Sequence, residues 1–153
     1  MARMIFVNLP VADVAASTVF YQAIGFVKDE TICQGPEAAM LRWSDEINFM
    51  LLSHAHFAKF APKPIADSRS TSAVLFALSC DNRAEVDAIT AKAVAAGGRE
   101  GHDAEDLGFM YSRAFEDPDG HGFGPMWMDV NAAVAATSAG GDGGIKAQAM
   151  VVR

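Results

Sequence analysis

The residues of this chain that could do chemistry are few and scattered. Its four histidines stand at 54, 56, 102 and 121, and its two cysteines at 33 and 80. His54 and His56 are two apart, a spacing that puts both on one face of a strand and could begin a metal site. No carboxylate accompanies them, so an exposed strand end is the better reading. His121 follows Asp117-Pro118-Asp119-Gly120 and could serve as an acid or base, but nothing in the sequence pairs it with a nucleophile, and a turn residue is preferred. Cys33 and Cys80 make no C-x-x-C spacing and sit among strand-forming residues, which favours small buried hydrophobes over a disulfide or zinc site. Tyr111 and Arg113 alternate with Phe109 and Phe115. Arg113 suits a substrate carboxylate or a structural acid, and the acidic excess favours the second.

Composition narrows the classes in which these residues can act. At 153 residues, 51% hydrophobic and 20% charged, the chain is that of one globular domain. Twelve basic residues against nineteen acidic ones give a formal charge of −7, which argues against nucleic acid and anionic membranes as partners. No apolar run approaches the roughly 20 residues that span a bilayer, and the start reaches Asn8 and Pro10 before a signal-type apolar core forms. A cytoplasmic location is expected.

The elements that must position any site follow one plan, written twice. Met4 to Leu9 is rich in strand formers, Asp13 can cap a helix, and Ala16, Val19, Phe20, Ala23 and Ile24 recur at the spacing of one helical face before Gly25. Strands are predicted at 26–33, 38–43 and 47–53. The second copy opens with the strand Ala73 to Cys80. Asn82 and Glu85 then resemble a capping box, and Val86, Ile89, Ala93, Val94 and Gly97 mark the helical face. A weak strand near Arg99, a polar stretch from His102 to Asp106, and strands at 109–116 and 122–128 follow, the last two joined by the Pro118-Asp119-Gly120 turn. Pro125 cannot donate to a ladder and predicts local distortion. The expected fold is α+β, two βαβββ modules forming a concave sheet with the helices outside. The domain runs over 1–129, with module one at 4–54, a linker at 55–71 and module two at 72–129. The Ala/Gly-rich residues 130–153 form a tail in which 132–136 can extend a short helix.

The opening Val7-Asn8-Leu9-Pro10-Val11-Ala12-Asp13, with Ser17, Phe20-Tyr21 and Gly25-Phe26, and the late Phe115-Glu116-Asp117-Pro118-Asp119-Gly120-His121 resemble the vicinal oxygen chelate superfamily. This superfamily contains glyoxalase I, extradiol dioxygenases, fosfomycin-resistance enzymes and bleomycin-resistance proteins. In its metal-dependent members, the first and last strands of each module supply His, Gln or Glu to one divalent ion. By that resemblance the four positions correspond here to Phe6, Met50, Leu75 and Gly124. None can ligate a metal, because aromatic, thioether, aliphatic and absent side chains offer no adequate donor.

The resemblance therefore implies the fold without the metal, and a cleft between modules that holds a small apolar molecule. Period-two alternation gives its lining as Phe6, Asn8, Asn48, Met50, Leu75, Ala77, Gly124 and Met126, apolar with two amides that can orient a ligand. The plainer alternative is that these side chains fill the cleft and nothing binds. No catalytic residue and no cofactor are assigned, and open sheet edges favour a homodimer. The competing classes are a metal-dependent lyase like lactoylglutathione lyase, or a dioxygenase, with a non-standard site, and a non-catalytic dimerisation module.

Overall fold

The computed structural model describes residues 2–33 and 35–139. Module one comprises β1 (Ile5–Val11), α1 (Val14–Ala23), β2 (Val27–Lys28), β3 (Ala38–Arg42) and β4 (Ile47–Ser53). The crossing to module two opens with α2 (His54–Ala58). Module two comprises β5 (Leu75–Ser79), α3 (Arg83–Ala95), β6 (Arg99–Glu100), β7 (Glu105–Asp106), β8 (Met110–Ser112), β9 (Phe115–Glu116) and β10 (Gly122–Met128), and α4 (Val130–Ala139) follows it. The expected Ala/Gly-rich tail thus begins as a helix, and its remainder lies outside the described residues.

Each module is one sheet with one helix on it. Sheet one has the order β1-β4-β3-β2, and in sheet two β10 is flanked by β5 on one side and by β8 and β9 on the other. The first strand of each module pairs in parallel with the last, β1 with β4 and β5 with β10, while the remaining pairs are antiparallel. A parallel pair needs a long crossover, which the helix and the inner strands of each module supply.

Local chemistry explains the boundaries. The Asp13 side chain accepts from the Ala16 amide at 2.9 Å and starts α1. At α3, Asn82 Oδ1 accepts from the Glu85 amide at 2.8 Å, while the Glu85 carboxylate accepts from the Asp81 amide at 2.5 Å. The expected capping box is present with its return bond displaced by one residue. Asn82→Ala should cost about 1 kcal/mol, measurable as a lower urea midpoint with an unchanged slope. Both helices end against a glycine at positive φ, Gly25 at 113° and Gly97 at 102°.

Several expected elements differ. The strand at 26–33 shrinks to Val27–Lys28, because Asp29 Oδ1 captures the amides of Thr31 and Ile32 at 2.8 and 3.0 Å and turns the chain. Cys33 follows the bend at 30–32 in irregular backbone with φ 57°, not in a strand. The strand at 109–116 divides into β8 and β9 opposite Pro125, whose carbonyl accepts from Arg113 N at 3.1 Å but which has no N–H to return. His54 and His56 belong to α2, which Ser53 caps by accepting from the His56 amide at 3.1 Å; they do not end a strand.

The helical faces also shift. In α1 the buried residues are Val14, Ser17, Thr18, Phe20 and Tyr21, whereas Val19, assigned inward by spacing, is 65% exposed. In α3, Val86, Ile89, Thr90 and Ala93 are buried and Val94 is exposed. A face read from hydrophobicity alone passes over Tyr21, which is fully buried.

One hydrophobic core spans both modules. Phe20, Tyr21, Phe26, Phe49, Phe115 and Phe123 belong to one buried cluster, with Phe76 packed against it. Rings meet across the module boundary, with Phe49 and Phe76 centroids at 5.1 Å, Tyr21 and Phe123 at 5.8 Å, and Phe20 and Phe115 at 6.3 Å. What lies between the modules is packed aromatic core.

Candidate functional site

Alternation along the strands leaves each sheet with a second face, opposite the core. On sheet one, Leu9, Val11, Phe49 and Leu51 point into the core, so Phe6, Asn8, Asn48, Met50 and Met40 take the other face. Register places them together: Phe6 beside Asn48, Asn8 beside Met50, and Met50 beside Met40. On sheet two, Phe76, Leu78 and Phe123 face the core, leaving Leu75, Ala77, Gly124 and Met126 opposite, with Leu75 beside Gly122, Ala77 beside Gly124 and Ser79 beside Met126.

Only the second of these faces forms a described cavity. A cleft of about 530 Å³ lies on sheet two, and all its lining residues come from module two. Of the eight pocket residues expected from sequence, Leu75, Ala77, Gly124 and Met126 line it. Phe6, Asn8, Asn48 and Met50 do not, because the core holds the modules together by their opposite faces. The single cleft expected between modules is therefore, in one chain, two separate faces.

The cleft is lined by apolar Leu75, Ala77, Met110, Gly124 and Met126 and by polar Ser112, His102 and Glu116. The Leu75 side chain lies across Gly122, where an added Cβ would come within 2.7 Å of its Cδ2. At Gly124 the nearest atom to such a Cβ is Arg113 O at 3.8 Å, so that position has room. Met110 and Ser112 were absent from the sequence-derived lining. Their register opposite Met128 and Met126 shows them on the same face, a relation that strand pairing alone reveals.

The four positions that the family resemblance matches to metal ligands hold Phe6, Met50, Leu75 and Gly124. Phe6 is 49% and Leu75 64% exposed, and the set does not fit a divalent ion, since none supplies nitrogen, oxygen or thiolate. Among the described residues no three His, Cys, Asp or Glu side chains gather as potential ligands.

The remaining candidates serve the framework. Arg113 pairs with Asp87 at 2.9 Å and Glu100 at 2.5 Å, and Tyr111 donates to the same Asp87 at 2.8 Å. The hydrogen bond from Tyr111, followed by that from Arg113, lowers the Asp87 pKa. Arg83 stacks over Tyr111 and Trp127 at 5.3 and 5.2 Å from their centroids. Cys33 and Cys80 are free thiols, both half-buried. Burial pushes the Cys80 thiol up to about 11, which keeps it protonated and unreactive at neutral pH.

His121 is a turn residue with a structural task that the sequence did not disclose. It is buried, and its Nε2 donates to Pro10 O in module one at 2.8 Å. Nearby, Tyr21 Oη donates to Asp117 Oδ2 at 2.7 Å, and Asp117 Oδ1 accepts from the Asp119 and His121 amides at 2.9 and 2.8 Å. Asp119 in turn accepts from Ala12 N at 2.8 Å. Burial raises the Asp117 pKa, and burial together with Asp117 raises that of Tyr21. The turn is thus a polar lock between modules.

Comparison with known proteins agrees with this architecture. Residues 3–42 match a family model described as bleomycin resistance protein-like N-terminal. Curated protein sequences give no significant match. Among solved structures, a hypothetical protein from S. aureus superposes with a TM-score of 0.70 at 24% identity, covering 83% of this chain and 94% of that one. A glyoxalase/bleomycin resistance protein/dioxygenase family enzyme from Burkholderia phytofirmans gives 0.68 at 21%, covering 84% and 100%. A lactoylglutathione lyase from Agrobacterium tumefaciens gives 0.60 at 17%, covering 83% and 94%. At these identities the likeness is one of fold. Two sheet-and-helix modules, with structural matches covering 83–84% of the chain and a family-model match over residues 3–42, give this chain the glyoxalase/bleomycin-resistance/dioxygenase fold.

Proposed function

We propose that this protein binds a small, largely apolar molecule on the sheet-two cleft, without a metal ion, and that it does so as a homodimer. The observation that carries the reading is the cleft itself: an apolar lining of Leu75, Ala77, Met110 and Met126 in about 530 Å³, a size suited to a small organic ligand. Thioether side chains adapt to flat or irregular shapes. The open side of the cleft and the open face of sheet one both carry apolar side chains, and half-exposed Phe6 on one matches exposed Leu75 on the other. A two-fold pairing would lay the Phe6, Asn8 and Met50 face of one copy over the Leu75, Ala77 and Gly124 face of its partner, rebuilding a chamber from both modules. The donor-free metal positions support binding or sequestration over Lewis-acid chemistry, in keeping with the match to a bleomycin resistance protein-like region. The net charge of −7 disfavours nucleic acid and anionic membranes, no described helix is long and apolar enough to cross a membrane, and the reading places the protein in the cytoplasm.

The test joins three measurements on the full chain. Light scattering should give a dimer. A panel of aromatic acids and hydrophobic drugs should contain members that raise the melting temperature, by the equivalent of about 2.7 kcal/mol at a hundredfold excess over Kd. Elemental analysis should find no stoichiometric metal. Bound Ni, Fe, Mn or Zn at one per chain would overturn the metal-free reading in favour of a lyase or dioxygenase. A dimer that no ligand stabilises would leave a dimerisation module.

A further inference from the structure

Asn48 is the second residue of β4 and has no accessible surface, and neither its side-chain nitrogen nor its side-chain oxygen has a hydrogen-bond partner among the described residues. Such a residue weakens a fold, since a buried donor and acceptor left unmade cost more than an apolar side chain of the same size. The strand neighbours are Phe6, beside Asn48 on β1, and Arg42, beside it on β3, with Met50 next on that face of β4 and Met40 beside Met50 on β3. Asn8, the other amide there, is exposed and its Nδ2 is engaged with Phe6 O at 3.3 Å.

We propose that Asn48 is a specificity-determining residue of this face and that the ligand presents an N–H and a C=O side by side on one edge, as in a lactam or pyridone ring. This rests on the small-molecule reading above and names the chemical class that reading leaves open. A carboxamide offers one donor and one acceptor in a plane. Only a partner with the complementary pair satisfies both at once; a carboxylate leaves the Asn48 oxygen without a donor, and an ammonium leaves its nitrogen without an acceptor. The flanking thioethers and the Phe6 ring suit a flat ring that carries this edge. Phe6 is half exposed on an edge strand, so its side chain has room to turn aside and admit the ligand to the amide.

The test compares 2-quinolinone with 1-methyl-2-quinolinone, which keeps the ring and carbonyl but lacks the donor. On the full-length protein, calorimetric Kd values should favour the unmethylated compound by about tenfold or more. Asn48→Leu should bind both equally while melting no lower than the parent. Equal binding of the two compounds by the parent protein overturns the assignment, as expected if Asn48 is satisfied by water alone, and so does discrimination that survives in Asn48→Leu. If the apolar panel raises the melting temperature but methylation has no effect, the Asn48 assignment alone falls. If no compound binds, the small-molecule reading falls with it. The methylation contrast is measured on the parent chain and stands even if the variant folds poorly.

Discussion

Phe123→Ala should destabilise the protein by about 3–5 kcal/mol, the range for removing a fully buried aromatic ring. The ring is 2% exposed and sits at the meeting of both modules. Its centroid is 5.8 Å from Tyr21 and 6.1 Å from Phe49 in module one, and 5.1 Å from Phe76 and 5.3 Å from the stacked Phe115 in module two. Four aromatic neighbours cannot all collapse into the hole, because two belong to the other module, Tyr21 on α1 and Phe49 on β4, and their positions are fixed elsewhere. Val19→Ala, on the outer face of α1, is the control and should shift stability by less than about 0.5 kcal/mol. Chemical denaturation of the two variants checks this. A Phe123→Ala cost near that of Val19→Ala would show that the modules do not share one core.

The second large effect is at the polar lock. Asp117→Ala should cost about 3 kcal/mol or more, because it leaves the buried Tyr21 hydroxyl and two turn amides without their acceptor. Asp117→Asn keeps an oxygen for the amides and should cost less. The pair also fixes a pH dependence. Burial raises the folded-state pKa of Asp117 above its unfolded value, so the folded chain holds this proton more tightly. Its contribution is complete below the ordinary carboxylate range and is lost as pH rises through the folded pKa. The stability of the parent relative to Asp117→Asn should therefore grow on acidification from neutral pH towards the ordinary carboxylate range. Denaturation midpoints of both proteins across that window measure it, and parallel curves would show that burial does not govern this carboxyl group.

Much of the architecture was legible in the chain because it rests on local chemistry. Asp13 and Asn82 announce the helix starts, Gly25 and Gly97 their ends, and alternation announces β4 and β10, whose expected bounds the structure reproduces. Pro125 signalled the distortion that splits β8 from β9.

Other features depend on partners distant in sequence. Tyr21 and Asp117 are 96 residues apart, and nothing in either neighbourhood announces their bond, so Tyr21 was passed over as a core residue and His121 read as a plain turn residue. Alternation puts the eight expected pocket residues on the strand faces opposite the core, and four of them, Leu75, Ala77, Gly124 and Met126, line the sheet-two cleft. Whether two faces form one cleft is instead set by how the modules pack, and here the aromatic rings join them by the opposite sides. Backbone propensity, capping and period-two patterning act over a few residues and are written in the chain. The joining of sheets, the lock across the module boundary and the burial of Asn48 without a partner among the described residues arise only when segments tens of residues apart are brought into contact, because burial and hydrogen-bond satisfaction are properties of that packing.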